Sequence, residues 1–401
     1  MIFPRTRYIT RLTQLKDTDL IKVVTGVRRA GKSTLLKLYA NQLQEQGVDP
    51  KQIIQVDFDV KENERLLDKD ELYRYISNEI KNRKKHYIFL DEIQMVEDFN
   101  LTLNSIKALG NTDIYVTGSN SKLLSSEIGT LLTGRHIDLH LWPLSFSEFY
   151  VADGKNYTRD ESLLRYMEFG GFPGAFELLT VDGSLVHQYI QTLLLDILNK
   201  DILKRKNVQN LDALERLTAY LASTVGSPVS SKNIANVFAQ ENLPVSHNTV
   251  LEYMSYLNES YLYSKCSRYN ISGKEVLRSL YKEYAVDNAL INVFGPERNI
   301  GFKLENLVYN ELRIRGYQVY TGKLYNGEVD FVAVKNNKPI YVQVCYLLAD
   351  ESVVAREFGA FRPIRDSYPK MVLSMDKVDF SRDGIQHYSI SDWLFEESDS
   401  L

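Results

Sequence analysis

Leu20-Ile21-Lys22-Val23-Val24-Thr25-Gly26-Val27-Arg28-Arg29-Ala30-Gly31-Lys32-Ser33-Thr34-Leu35-Leu36 joins a short β-branched apolar run to an apolar helix through two glycines. Gly26 to Ser33 fit the pattern GxxxxGK[ST], and Leu35, Leu36, Leu38 and Tyr39 follow at helical spacing. Strand, loop and helix stand in the order that a phosphate-binding loop requires. Gly26 and Gly31 admit backbone angles that a Cβ forbids, so successive N–H groups can turn inward around phosphate oxygens at a helix N-terminus. Val27, Arg28, Arg29 and Ala30 form the loop between them, and Lys32 adds a mobile point charge for the β- and γ-phosphates. The Ser33 hydroxyl is placed to ligate Mg²⁺, and Thr34 follows on the helix. A plain strand-to-helix turn would account for the two glycines, but not for Lys-Ser in register with them.

Outward from the loop, Ile53-Ile54-Gln55-Val56-Asp57-Phe58 reads as the next strand and Glu71 to Lys84 as a polar helix. His86-Tyr87-Ile88-Phe89-Leu90-Asp91-Glu92 is an apolar strand ending in two acids, about sixty residues beyond Lys32, a normal distance for a Walker B strand. Asp91 would hold Mg²⁺ through water and Glu92 would polarise the attacking water. Asp113-Ile114-Tyr115-Val116-Thr117 is a third strand, running into Gly118-Ser119-Asn120. Small polar residues at its carboxyl end would face the γ-phosphate, although Asn120 or Ser121 would serve equally as a cap for a helix at Lys122-Leu123-Leu124. Arg135 precedes the strand Ile137-Asp138-Leu139-His140-Leu141, where a guanidinium could reach a neighbouring subunit's γ-phosphate. Arg5, Arg7, Tyr8 and Arg11, ahead of the first strand, fit either a lid over a purine or a solvated lead-in.

Gly26 to Thr34, Leu90-Asp91-Glu92-Ile93-Gln94, Val116 to Ser121, Gly134-Arg135 and Pro143-Leu144-Ser145-Phe146-Ser147-Glu148-Phe149 occur in that order. The set resembles the AAA-type ATPase module of a widespread bacterial and archaeal family of ATP-binding proteins whose C-terminal domain is similar to restriction endonucleases. The resemblance implies ATP rather than GTP, Asp91 and Glu92 as Walker B acids, Ser119 or Asn120 as first sensor and Arg135 as arginine finger. Arg28 and Arg29 match the family's double arginine. The expected architecture is α/β. An AAA-type P-loop core with a parallel sheet and helices on both faces covers residues 1–150, and a helical lid 151–208. A winged-helix-like region would occupy 209–268 and a restriction-endonuclease-like α/β domain 269–401.

Composition bounds the rest. The 401 residues suggest roughly two to four units. With 44% hydrophobic and 25% charged residues the chain reads as globular, neither disordered nor fibrous. Two cysteines, Cys266 and Cys345, make neither a disulfide framework nor a cysteine zinc site. The N-terminus lacks a signal-peptide core and no run reaches membrane-spanning length, so the expected location is cytoplasmic, without membrane contact. A net charge of −4 argues against a chain-wide nucleic-acid surface.

Gln188 to Lys206 reads as a long helix with a basic end, Lys204-Arg205-Lys206. Leu211 to Ser223, Ser230 to Ala239 and Ser246 to Leu257 read as three helices, the last exposing His247, Asn248 and Glu252. From the basic end onward Lys204, Arg205, Lys206, Arg216, Lys232 and Lys265 face Asp212, Glu215, Glu241, Glu252 and Glu259, six against five, a poor balance for phosphate binding, so a protein partner fits this region as well as DNA does. Further on, Glu305 on a helix and Asp330 on a strand look like the acids of a PD-(D/E)xK nuclease core. Gln343 and Cys345 stand where an active member carries a carboxylate and a lysine. Lys335, Lys338 or Lys370 could substitute, but a binding remnant is the preferred reading. Together these features predict Mg²⁺-dependent ATP hydrolysis driving a conformational switch on DNA or a protein partner, in a chain that could form homo-oligomers. The alternatives are a nucleotide-gated adaptor with little turnover and an ATP-regulated DNA nuclease.

Overall fold

The computed structural model describes residues 2–119, 134–154, 156–295 and 300–396. The chain forms two compact units, one of Met1–Pro143 with Glu259–Tyr261 and one of Leu144–Asn258 with Leu262–Leu401.

In the first unit α1 (Thr6–Gln14), β1 (Ile21–Thr25), α2 (Lys32–Glu45), β2 (Ile53–Asp57), α3 (Lys69–Glu79), β3 (His86–Asp91), α4 (Phe99–Lys107), β4 (Thr112–Gly118) and β5 (His136–His140) succeed one another. All neighbouring strands pair in parallel, in the order β2-β3-β4-β1-β5. Every residue of β1 and β3 is buried, as expected where helices cover both faces of a sheet. Ile54, Val56, Ile88, Leu90, Ile114 and Val116 pack with Leu72 and Ile76 of α3 and Leu103 and Ile106 of α4 on one face. The helix anticipated from Glu71 to Lys84 is shorter and earlier. It begins behind the Asp68 cap, whose side chain accepts from the N–H groups of Asp70 and Glu71, and it ends at Glu79.

One polar pair crosses this sheet. Lys22 and Asp113 are both fully buried and bonded to each other, and Asp113 also accepts from the Tyr115 hydroxyl at 2.8 Å. Burial lowers the Lys22 pKa, against the pull of Asp113.

The second unit opens with helices Phe146–Ala152, Arg159–Phe169, Pro173–Leu179 and Ser184–Ile197. Where the sequence pattern predicts helix to Lys206, the backbone passes into a π-helical turn at Leu198–Leu203. That turn buries Asp201, which lies 3.6 Å from Arg205. Three further helices, Leu211–Ser223, Ser231–Gln240 and His247–Glu259, precede β7 (Tyr263–Asn270) and β8 (Glu275–Ala285); the two-residue β6 (Pro228–Val229) pairs with β8.

Helix Ile300–Ile314, β9 (Gln318–Leu324), β10 (Gly327–Lys335), β11 (Lys338–Val344), helix Glu351–Gly359, β12 (Lys370–Ser374), β13 (Gln386–Ser389) and helix Ile390–Phe395 complete the unit. The eight strands form one mixed sheet, β13-β12-β11-β10-β9-β7-β8-β6. β7 pairs in parallel with β9 through Arg268, Tyr269 and Asn270, so strand pairing joins the β7–β8 hairpin to the C-terminal strands. The anticipated turn at Asn336-Asn337 is present, with both residues at positive φ as a two-residue type I′ hairpin requires.

Candidate nucleotide site

Thr25 ends β1 between Gly118 of β4 and His140 of β5, and the loop leaves from the carboxyl end of the sheet. Gly26 has φ 141°, and a Cβ there would lie 2.1 Å from the Leu141 carbonyl oxygen. Only glycine fits. Gly31, at φ 100°, precedes α2 and gives it no side-chain cap, so the first-turn N–H groups are left to another acceptor. Val27 and Ala30 are fully buried and pin the loop, whereas Arg29 and Thr34 are exposed and Arg28 is half-buried. Upstream, Arg5 is buried, its guanidinium bonded to the Trp142 carbonyl and 4.8 Å from the Tyr8 ring centre. It therefore belongs to the packed wall beside the loop rather than to a solvated lead-in.

Lys32 is buried, its ammonium donating to the carbonyl oxygens of Gly26 at 3.0 Å and Val27 at 3.2 Å and lying 4.0 Å from Glu92. The acids anticipated for β3 come to the same place. Asp91 is buried, and that burial raises its pKa; hydrogen bonds from Ser33 and Thr117 oppose the rise, while Glu92 and Asp57 add to it. The Thr117 hydroxyl donates to Asp91 and accepts from the Glu92 N–H at 2.8 Å, fixing both acids from the neighbouring strand. Glu92 adopts the left-handed conformation at φ 58°, an uncommon state for a residue with a Cβ. Ser119 is fully buried at the end of β4, and Asn120 lies outside the described residues.

Arg135 is placed elsewhere. It is exposed at the amino end of β5, its carbonyl accepting from the Ile21 N–H at 2.9 Å, at the opposite end of the strands from the loop. With about 3.3 Å of rise per strand residue, five residues separate it from its own loop by roughly 16 Å.

A site for a hard cation beside phosphate needs oxygen donors without a resident counter-charge. Ser33 and Asp91 supply such a pair, in mutual hydrogen-bond contact, with Asp57 and Glu92 adding negative charge, so the donor set fits Mg²⁺. Asp57 and Thr117 were legible only as strand residues. Their signal was position, because Asp57 ends its strand level with Asp91 and Thr117 stands one residue before the end of β4, level with Val24 of β1.

The C-terminal acids form a second cluster. Glu305 is buried and accepts from the Tyr284 hydroxyl at 2.6 Å and from the Lys282 ammonium at 3.1 Å. Lys282 also lies 2.9 Å from Glu328, whose other oxygen takes Arg268 at 2.9 Å. Asp330 accepts from the Val344 N–H at 2.8 Å, and its own N–H donates to Gln343 at 3.3 Å. Burial and then Glu305 push the Asp330 pKa up. None of the three lysines named as substitutes is recorded on these acids among the described residues. Lys370 donates to the carbonyls of Asp366 and Tyr368, while Lys335 and Lys338 pair at the β10–β11 turn. The lysine at the cluster is Lys282 of β8, which no spacing rule connects to Glu305. Cys345 is buried with a free thiol, and burial raises its pKa to about 12, as befits a packing residue.

The fold and loop define an AAA-type P-loop domain, and the AAA domain family matches residues 18–150. Residues 160–299 match a domain of unknown function (DUF8612). An uncharacterized protein of Haemophilus influenzae is 35% identical over 399 residues, with 98% of each chain covered. Uncharacterized protein MJ1544 of Methanocaldococcus jannaschii is 31% identical, covering 98% of this chain and 89% of that protein. The chain belongs to the same family as these two proteins. Among solved structures, the Walker-type ATPase PABY2304 of Pyrococcus abyssi superposes with a TM-score of 0.51 at 17% identity, over 73% of this chain and 96% of that one, a likeness of fold. Among the described residues no helix is long and apolar enough to cross a membrane.

Proposed function

We propose that the protein binds and hydrolyses ATP and uses the cycle as a conformational switch acting on a partner. The observation that carries this reading is the meeting of Lys32, Ser33, Asp91 and Glu92 behind a loop that only glycine can close at Gly26. N–H groups of the loop and of α2's first turn would hold the phosphates, and Lys32 would move from the loop carbonyls onto them. Ser33 and Asp91 would hold Mg²⁺, which when bound neutralises charge on the triphosphate. Glu92 would orient and polarise the attacking water, with Ser119 and Asn120 sensing the γ-phosphate. Arg135, at the far end of β5, would serve only a neighbouring copy's site.

A protein partner is favoured over DNA by the pairing of two of the basic side chains in and just before the three-helix region. Arg205 lies on Asp201, and Arg216 bonds both Asp212 and Glu241. Lys206 sits 4.5 Å from the Tyr256 ring centre. Cations already matched by acids add little to phosphate binding. For the C-terminal cluster, the Lys282 ammonium between Glu305 and Glu328 supports a binding role rather than DNA cleavage.

Steady-state turnover tests the chemistry. Glu92→Gln should reduce ATP hydrolysis about a hundredfold or more while leaving ATP binding intact. Turnover equal to wild type would remove Glu92 from the role of base.

A further inference from the structure

We infer that Gln94 is a positioning residue for the water-polarising carboxylate. The inference rests on the ATPase reading above and extends it to a residue that takes no part in binding nucleotide.

Glu92 is held first by its backbone. Its backbone stands in the left-handed region, tied by its N–H to Thr117, and the chain then enters a single 3₁₀ turn, Ile93–Met95. That turn brings the Gln94 carboxamide back onto the carboxylate, where Nε2 donates to Glu92 Oε2. The other carboxylate oxygen, Oε1, faces Lys32 at 4.0 Å. The two oxygens therefore have different duties: Oε2 is occupied by an amide on its own turn, and Oε1 looks toward the phosphate site.

The far end of the same carboxamide strengthens the case. Gln94 Oε1 is buried and has no hydrogen-bond partner among the described residues. An orphaned buried acceptor costs roughly 1–3 kcal/mol, so the amide is oriented by what its N–H gains on the charged carboxylate. Flipping the amide would set its oxygen against the carboxylate, and that repulsion fixes the assignment of N and O. When Lys32 leaves the loop carbonyls for a triphosphate, Gln94 remains as the side-chain donor holding Glu92. Without it, the carboxylate on its strained backbone is free to turn with Lys32 or away from the water, and geometry of this kind governs the rate of the chemical step.

The test is steady-state ATP hydrolysis by full-length protein, comparing wild type with Gln94→Met, Gln94→Glu, Glu92→Gln and Lys32→Ala. Gln94→Met keeps the volume and removes the donor. It should lower kcat about tenfold or more and leave KM for ATP within about twofold, with an unchanged melting temperature. Gln94→Glu sets a like charge against Glu92 and should lose at least as much. A kcat for Gln94→Met within about twofold of wild type overturns the inference, as does a parallel change in KM and kcat, which marks a packing role. The underlying reading fails separately: then Glu92→Gln and Lys32→Ala hydrolyse ATP as wild type does. If those two are inactive and Gln94→Met is normal, only the role of Gln94 falls.

Discussion

Two groups of buried and half-buried carboxylates, one behind the phosphate-binding loop and one in the C-terminal sheet, meet their charge in opposite ways. Asp57, Asp91 and Glu92 gather at the carboxyl ends of parallel strands with one ammonium, Lys32, resting mainly on loop carbonyls. Beside Asp330, Glu305 and Glu328 hold Lys282 between them and Glu328 also takes Arg268, all at about hydrogen-bond distance. On the proposed reading the first cluster keeps a place for a cation that arrives with a ligand. The second carries its cations in its own sequence. Burial works against the charge on Lys282, but Glu305, Asp330 and Glu328 outweigh it and hold the pKa above the ordinary lysine value. Carboxylates alone thus do not mark a working site; what separates the two is the source of the counter-charge.

That contrast can be broken most sharply at the two lysines. Lys282→Met takes the shared partner from buried Glu305 and half-buried Glu328, which keeps Arg268, and should destabilise the C-terminal unit by about 3–5 kcal/mol in denaturant unfolding. The matching change, Lys32→Ala, should leave stability within about 1 kcal/mol because Lys32 mainly covers a loop. Equal losses at the two positions would erase the distinction.

A smaller effect sharpens the comparison through pH. Glu283 is buried, with Asn258 donating to one oxygen at 3.2 Å and the other oxygen without a partner among the described residues. Burial pushes its pKa up to about 8, against the Asn258 hydrogen bond and the charge of Lys265. The folded state therefore holds a proton that the unfolded chain gives up near the ordinary carboxyl value. The stabilisation is complete below that value and is lost as pH rises through about 8. Asp287, raised to about 7 by burial against N–H donors from Gly171 and Ala289, acts in the same direction. Melting of the C-terminal unit should fall between about pH 5 and about pH 9, by on the order of a few kcal/mol. Glu283→Gln should flatten part of that slope. A slope unaltered by Glu283→Gln would show that this acid is charged in the folded protein.

Much of the first unit was legible because each of its signals is local. The loop motif, the Asp91-Glu92 strand end and the β-branched runs are each complete within a few consecutive residues, and a parallel sheet buried on both faces gives continuous apolar strands. The Asn336-Asn337 turn was readable for the same reason. What escaped notice depends on tertiary placement. Thr117 reaches Asp91 and Glu92 only across a strand pair, and Lys282 reaches Glu305 only because β8 and the helix Ile300–Ile314 pack together. Arg135 was read from its neighbours in sequence, yet its place at the amino end of β5 is set by parallel pairing with β1. The π-helical turn at Leu198–Leu203 has no periodicity that separates it from an α-helix, so residues 188–206 read as one helix.

The central claim is that the loop between β1 and α2 is a triphosphate site whose charge comes from Lys32. Isothermal titration of ATP with Mg²⁺ into the full-length wild-type protein and into Lys32→Ala addresses it directly. Saturable binding by the wild type, weakened about a hundredfold or more in the variant, is the expected result. Heat of binding that is absent from the folded wild type, or equal in the two proteins, would contradict it.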